Sequence, residues 1–320
     1  MNRLIDFLTA HNVKSIAVFS HIRADGDSLG AQTGLAQLLR ELEYDVELYN
    51  QYQELSPDFY YLKNYEEIKH FTSDSKTPDI CIAVDCASRE RIGQYPEQLD
   101  DLLWINIDHH ISNTLYADLN IVEPNASSTC EVLSELFIND KNLISKDIAT
   151  SFYTGLSTDT GSFLYQNTSA KTLRLAASMI ESGANISDVR ANIYENMSHI
   201  QLKIYKYLYS NIEFSRDNKI AYCAFSKQTL NQLHASTSDL EGVVSKIKNI
   251  QGVEVAILFT ENQEQHIKIS MRSKEYFDVN KICSLLGGGG HIRASGASYD
   301  GDLSTCINHV LSLLDSEWED

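Results

Sequence analysis

The chain has 320 residues, 43% of them hydrophobic, and a formal net charge of −18. That length accommodates two domains of ordinary size, and the longest apolar runs fall well short of the roughly 20 residues that cross a bilayer. The acidic balance opposes tracking along a long polyanion, which rests on many Lys and Arg contacts to phosphates; a small anionic substrate held by a few cations or by metal stays open.

The N-terminal stretch MNRLIDFLTAHN carries acid and amide groups within an apolar pattern and shows no small-residue cleavage site. It reads as an amphipathic helix rather than a leader, and a cytoplasmic protein is expected. KSIAVFS (14–20) reads as a strand, followed from Ser28 by a helical pattern. DVELYN (45–50), DICIAVD (79–85) and LLWINID (102–108) repeat the strand signature with helical material between them. Strands alternating with helices predict an α/β fold, a mostly parallel sheet with helices on both faces. From about 127 to 210 helices follow in series, and strands resume at 219–225, 253–260 and 266–272 with a helix expected over 238–250. The expected organisation is a catalytic domain over 1–183, a helical connector over 184–212 and a smaller α/β domain over 213–320. Six cysteines at 81, 86, 130, 223, 283 and 306 show no C-x-x-C spacing and read as buried small hydrophobes.

Ligands gather at the carboxyl ends of strands in such sheets, and the acidic residues fall there. HIRADGD places His21, Asp25 and Asp27 just after the first strand. Hard oxygen donors mixed with imidazole suit Mn2+, Mg2+ or Fe2+; the plainer reading is a helix cap with a salt bridge to Arg23. Asp85 ends an apolar strand and, alone, reads equally as a turn cap. Asp108, His109 and His110 follow another strand, and a double histidine beside an aspartate is hard to explain by packing. Asp159, in STDTG, stands at the apparent end of a helix, where the dipole opposes an anion and a cation would relieve the conflict. These groups suffice for two metals sharing an aspartate, and two ions about 4 Å apart can clamp a phosphoryl group and activate water between them. In LLGGGGHIRASGAS the glycines let backbone amides approach an anion, a following helix could add its N-terminal dipole, and a plain hairpin loop is the alternative. Arg272 and Ser273 end a strand upstream.

Taken together, HIRADGD, Asp85, DHH at 108–110, STDTG at 157–161 and GGGGHIRASG at 287–296 resemble the DHH phosphoesterase superfamily with its C-terminal DHH-associated domain. The order and length are closest to the oligoribonucleases that degrade nanoRNA and dephosphorylate pAp. The resemblance covers nearly the whole chain. It implies that His21, Asp25 and Asp85 hold one Mn2+, that Asp27, Asp85, His109 and Asp159 hold a second, and that Asp85 bridges them. Mg2+ or Fe2+ are alternative occupants. His110 would contact the scissile phosphate, oriented by Asp108. Arg272, Ser273, Gly288, Gly289, Gly290 and His291 would bind the substrate's terminal phosphate and nucleotide across the cleft between the domains, and Arg23, where many relatives carry Asn-Pro, would add a contact or pair with a ligand carboxylate. The implied activity is hydrolysis of RNAs of about two to five nucleotides to 5′-mononucleotides, with pAp 3′-phosphatase activity as an addition and a homodimer as the implied assembly. A phosphodiesterase for signalling dinucleotides (pApA, pGpG or cyclic di-AMP) shares the same chemistry. A non-catalytic nucleotide sensor would be expected to lack a ligand, and none is missing.

Overall fold

In the first of two units, short apolar runs bounded by turn residues become the strands of one parallel sheet. The computed structural model describes residues 3–51, 55–95, 97–139, 143–263 and 265–318, and divides the chain into Met1–Asn196 and Met197–Asp320. The first unit runs α1 (Arg3–Ala10), β1 (Ser15–Phe19), α2 (Gly26–Glu41), β2 (Asp45–Tyr49), β3 (Ile80–Val84), β4 (Leu103–Asp108), β5 (Leu119–Val122), α3 (Thr129–Phe137), α4 (Lys146–Asp159), α5 (Ala170–Glu181), α6 (Ile186–Val189) and a π-helix over Arg190–Tyr194. Its strands lie in the order β2-β1-β3-β4-β5, all parallel. The order reverses between β1 and β3, and a crevice outside the carboxyl ends of strands is expected at such a switch point.

Both faces of this sheet are covered. Ile16, Val18, Ile80, Ile82 and Val84 pack with α2, α3 and α4 on one side, and Ala17, Phe19, Cys81, Ala83 and Trp104 form a separate core on the other. Strands buried on both faces read as continuous apolar runs, which is why they were legible. Helices α2 and α4 approach closely through glycine. A Cβ on Gly30 would stand 2.4 Å from the Ser151 carbonyl oxygen, and one on Gly155 would stand 2.5 Å from Asp27 Oδ1. Small residues at these positions bring the end of α4 against the start of α2.

The second unit runs α7 (His199–Asn211), β6 (Glu213–Ser215), β7 (Ile220–Phe225), α8 (Lys227–Leu233), α9 (Val243–Lys248), β8 (Val255–Gln263), β9 (His266–Ser273), α10 (Val279–Leu285), β10 (Gly289–His291), β11 (Ala294–Asp300) and α11 (Leu303–Glu317). Its sheet, β10-β11-β9-β8-β7-β6, is parallel only between β7 and β8. Ile220 and Tyr222 of β7 pack with α10 and α11, whereas Ala221, Cys223 and Phe225 pack with α7 and α9, the alternation of a two-sided strand.

The 184–212 stretch is divided between the units: α6 and the π-helix fall in the first and α7 in the second. Several other expectations are corrected. Strand β5, four residues of half-buried edge, was not expected. Only Val243–Lys248 of the 238–250 stretch is α-helical, after a 3-10 turn at Ser238–Leu240. The glycines are followed by a hairpin, not a helix: they leave the C-terminus of α10 and pair as β10 with β11, so the helix end beside them is the negative end of a dipole and not the expected N-terminus. All six cysteines are buried and free, as expected. Among the described residues, no helix is long and apolar enough to cross a membrane.

Candidate metal centre and phosphate-binding residues

The loops after β1, β3 and β4 and the C-terminal end of α4 bring together the acidic and histidine residues singled out from the sequence. The loop after β1 is fixed by buried amides. Gln32 donates to the carbonyls of Val18 and Tyr49 at 2.8 Å each, and Asn50 donates to the His21 carbonyl at 2.8 Å. Asp25 then caps α2: its Oδ1 accepts from Ser28 N at 3.0 Å, while Ser28 Oγ accepts from Asp25 N at 2.9 Å. The cap and the site use the same residue, because Asp25 Oδ1 also lies 3.8 Å from His21 Nε2. Arg23 is exposed and pairs with no carboxylate among the described residues, so the salt bridge offered by the plainer reading does not form.

Asp85 occupies the centre. It takes the left-handed region, with φ 58°, which is uncommon for a non-glycine residue and is held where surrounding structure over-determines it. Its N–H donates to the Ile107 carbonyl at 2.9 Å, and its Oδ1 accepts from Thr129 Oγ1 at 3.0 Å. The two carboxylate oxygens face different ways. Oδ2 lies 3.4 Å from His21 Nε2, and Oδ1 lies 3.7 Å from His109 Nε2. His109 Nε2 also stands 3.3 Å from Asp159 Oδ2 and 3.9 Å from Asp27 Oδ2. Two groups therefore flank Asp85: His21 with Asp25 on one side, and Asp27, His109 and Asp159 on the other.

These residues fit divalent ions on three grounds. Donors bound to one ion at about 2.1 Å stand roughly 3 to 4 Å apart, the range of the separations above. The His109 Nδ1–H donates to the Ala126 carbonyl at 3.2 Å, which leaves the Nε2 lone pair turned to the carboxylates, the tautomer a metal needs. Third, the acids are electrostatically frustrated without a cation. Burial, then the charges of Asp85 and Asp159, push the Asp27 carboxyl well above its usual range. Burial and the charges of Asp85 and Asp25 push Asp159 up to about 8. His21 responds in the opposite sense. Burial opposes its charge, but Asp25 and Asp85 prevail and raise it to about 9, while its Nδ1 is buried without a hydrogen-bond partner. Hard oxygen and imidazole donors in this mixture suit Mn2+, Mg2+ or Fe2+ and provide no thiolate.

Asp27 is anchored from an unexpected quarter. The first amides of α3 point at it, Thr129 N to Oδ2 at 2.6 Å and Cys130 N to Oδ1 at 2.9 Å. Ser128 caps that helix, and the sequence Ser128-x-x-Glu131 is the signal that could have placed this N-terminus beside the acids. Asn113, also not singled out, organises the DHH segment. It donates to Asp108 Oδ2 at 2.6 Å and Asn106 Oδ1 at 2.7 Å, and Asp108 Oδ1 accepts from His110 Nδ1 at 2.7 Å. That bond raises the His110 imidazole's affinity for protons and leaves its Nε2 without a protein partner among the described residues.

In the second unit, the β-sheet register places His291 opposite Ala294 and Ala294 opposite Arg272. His291 and Arg272 thus share one face of the sheet, two strand spacings or about 10 Å apart. The Arg272 guanidinium is half-buried, bonded to the Met271 carbonyl at 2.9 Å, and pairs with no carboxylate among the described residues; burial lowers its pKa. Ser273 is not brought to that face. It points to the core side with its hydroxyl buried and unpartnered. Gly288 and Gly290 are needed by the hairpin itself, because a Cβ would stand 2.2 Å from the Gly296 carbonyl oxygen and 2.6 Å from that of Ala294. Gly289, by contrast, is exposed, and a Cβ there would meet Asn280 Oδ1 at an ordinary 3.9 Å. Arg293 donates to the Phe277 carbonyl at 2.7 Å and serves as a tie within the unit.

A parallel sheet with Asp85 and the DHH segment at the carboxyl ends of β3 and β4, followed by a unit whose glycine hairpin precedes its last helix, belongs with the DHH phosphoester hydrolases. The chain belongs to the DHH family: the DHH family N-terminal domain matches residues 15–156 and the DHHA1 domain residues 217–319. It is 30% identical to the bifunctional oligoribonuclease and PAP phosphatase NrnA of Bacillus subtilis, over 95% of this chain and 96% of that one. It is 32% identical to the protein of the same name from Mycoplasma genitalium, over 88% and 87%. The crystal structure of an exopolyphosphatase-related protein from Bacteroides fragilis superposes with a TM-score of 0.86 at 24% identity, covering 98% of this chain and 96% of that one, and shows the same fold.

Proposed function

We propose that the protein hydrolyses RNAs of about two to five nucleotides to 5′-mononucleotides, and removes the 3′-phosphate of pAp, with two divalent metal ions, Mn2+ foremost. The observation that carries the reading is Asp85, whose two oxygens face two separate donor groups. His21, Asp25 and Asp85 would hold one ion, and Asp27, Asp85, His109 and Asp159 the other. When bound, such a pair neutralises charge on phosphoryl oxygens and activates water for in-line attack. The chain's own residues do the rest. His110, held by Asp108 through Nδ1, presents Nε2–H to a nonbridging oxygen and stabilises its developing charge. Asn113 and the N-terminus of α3 keep Asp108 and Asp27 in place, so little reorganisation accompanies reaction. Arg272 and His291, on one face of the second sheet, bind the substrate's terminal phosphate. The curated relatives' names, oligoribonuclease and PAP phosphatase, support this substrate class.

The test incubates the protein with Mn2+ and 5′-phosphorylated RNAs of two to twenty-four nucleotides, pAp, cyclic di-AMP and pyrophosphate, with Asp85→Ala as control. Mononucleotide release confined to the shortest RNAs is expected. Equal rates on long strands, or cleavage of pyrophosphate alone, would refute the assignment.

A further inference from the structure

Beyond Asp159 the backbone takes three left-handed residues in succession, Gly161 (φ 56°), Ser162 (φ 58°) and Phe163 (φ 64°). Residues with a side chain seldom enter this region, and seldom consecutively. The turn is held from several directions. Ser162 N donates to the Ser157 carbonyl at 2.7 Å, and Leu164 N and Tyr165 N both donate to the Thr160 carbonyl at 2.9 Å. Phe163 packs into the core, and Asn167 closes the far end by donating to the carbonyls of Asp159 and Ser127 at 3.1 Å each.

What this turn displays is Tyr165. Its ring lies on Gly161, with ring atoms 2.4–2.7 Å from where a Cβ would stand, so a side chain there would displace the ring. The residue is nonetheless 63% exposed. Tyr194, ending the π-helix, stands close by and is 44% exposed. Its hydroxyl meets Ser157 Oγ at 2.7 Å and donates to the Ser157 carbonyl at 3.0 Å. Burial, with the neighbouring Tyr165 phenol adding to it, raises the Tyr194 hydroxyl's pKa. Two aromatic rings thus remain open to solvent at the end of α4 that carries Asp159, one of them on a strained turn of the kind that persists at functional sites.

We propose that Tyr165 is a stacking platform for the nucleobase adjoining the phosphate that the metal ions held by Asp159 and its neighbours would bind, with Tyr194 flanking it. The inference rests on the nucleotide reading above. Stacking tolerates any base, since each offers a π-face, and a ring already fixed on Gly161 loses little entropy on binding.

Calorimetry on the Mn2+-loaded protein compares AMP with ribose 5-phosphate, which lacks the base. Wild type binds AMP on the order of tenfold more tightly. Tyr165→Ala and Tyr165→Leu, the latter keeping apolar cover over Gly161, bring AMP to the level of ribose 5-phosphate, with affinity for ribose 5-phosphate and Mn2+ unchanged; Tyr165→Phe keeps the preference. Absence of the preference in wild type, its persistence in both Tyr165→Ala and Tyr165→Leu, or a matching fall in Mn2+ affinity overturns the proposal. RNA turnover on the same preparation separates the two readings: no hydrolysis with the AMP preference intact sinks the proposed activity alone, and hydrolysis without the preference sinks the platform alone.

Discussion

Gly155→Ala tests whether the approach of α2 and α4 sets the metal centre. The new Cβ would stand 2.5 Å from Asp27 Oδ1 and 2.3 Å from Cys130 Sγ, about 1 Å inside ordinary contact. Neither neighbour can yield cheaply, since Asp27 is wholly buried and held by two α3 amides at 2.6 and 2.9 Å. Alanine is the better helix former by about 0.5–1 kcal/mol, and overpacking costs about 1–3 kcal/mol. The net loss of about 0–2.5 kcal/mol leaves the chain folded. A displacement of about 1 Å at a ligand is a larger matter for the site, with Mn2+ affinity and turnover each falling on the order of ten- to a hundredfold. Calorimetric titration of metal-free protein with Mn2+, beside thermal unfolding of the same sample, reads the two effects separately. Unchanged Mn2+ affinity in a folded variant refutes the claim that this glycine positions Asp27.

Asp159→Asn should stabilise the metal-free protein while abolishing turnover. With the folded carboxyl near 8 against about 3.9 unfolded, the native state binds the extra proton, so the wild type loses stability as pH rises between those values. The variant's advantage in thermal unfolding with chelator should therefore grow from pH 4 to pH 8, reaching about 1–3 kcal/mol; an advantage that shrinks with pH contradicts the sign. Glu131 is the opposite case. Burial raises its carboxyl, but Thr172, Ser127 and Lys171 together hold it below the usual range, so its contribution is present above its unfolded value and lost as pH falls. Glu131→Gln should flatten the acid side of the stability profile, read by urea unfolding from pH 3 to pH 7. Asn113→Ala, which strips a hydrogen bond from Asp108, should lower turnover about ten- to a hundredfold with Mn2+ affinity little changed; steady-state kinetics with metal titration checks the split.

Much of the first unit was legible because its strands are buried on both faces and end in charged residues. An apolar run closed by Asp85 or by Asp108-His109-His110 has few readings once its neighbours do the same. Asp25 carried two meanings that proved compatible, a cap whose second duty is to face His21. The anchors of the site were harder to see. Thr129 offers Asp27 a backbone amide from roughly a hundred residues away, and an amide has no signature in a sequence. The glycine run misled for a related reason. Four glycines are compatible with an anion loop or a hairpin, and the close approach of Gly288 and Gly290 to β11, which decides for the hairpin, is a tertiary fact. Ser273 was paired with Arg272 by adjacency, yet alternation along β9 sends neighbours to opposite faces.

The same residues that make the centre chemically useful make it unfavourable to fold. Asp27 and Asp85 are buried and Asp159 partly so, and burial together with neighbouring carboxylate charge raises the proton affinity of Asp27 and of Asp159. Among the described residues, the ion-pairing partners these carboxyls meet are His21, His109 and His110 of the same cluster. The surrounding structure tolerates this by fixing the carboxylates from outside: the α3 amides on Asp27, Thr129 on Asp85, and the glycine-mediated seam between α2 and α4. These contacts set position without cancelling charge, so the charge stays available to a cation. Binding that prefers the native state stabilises it by mass action, and here it also removes a repulsion the fold cannot relax. A metal-loaded protein should therefore be the more stable form, and substitutions that relieve the repulsion should raise metal-free stability at the cost of function.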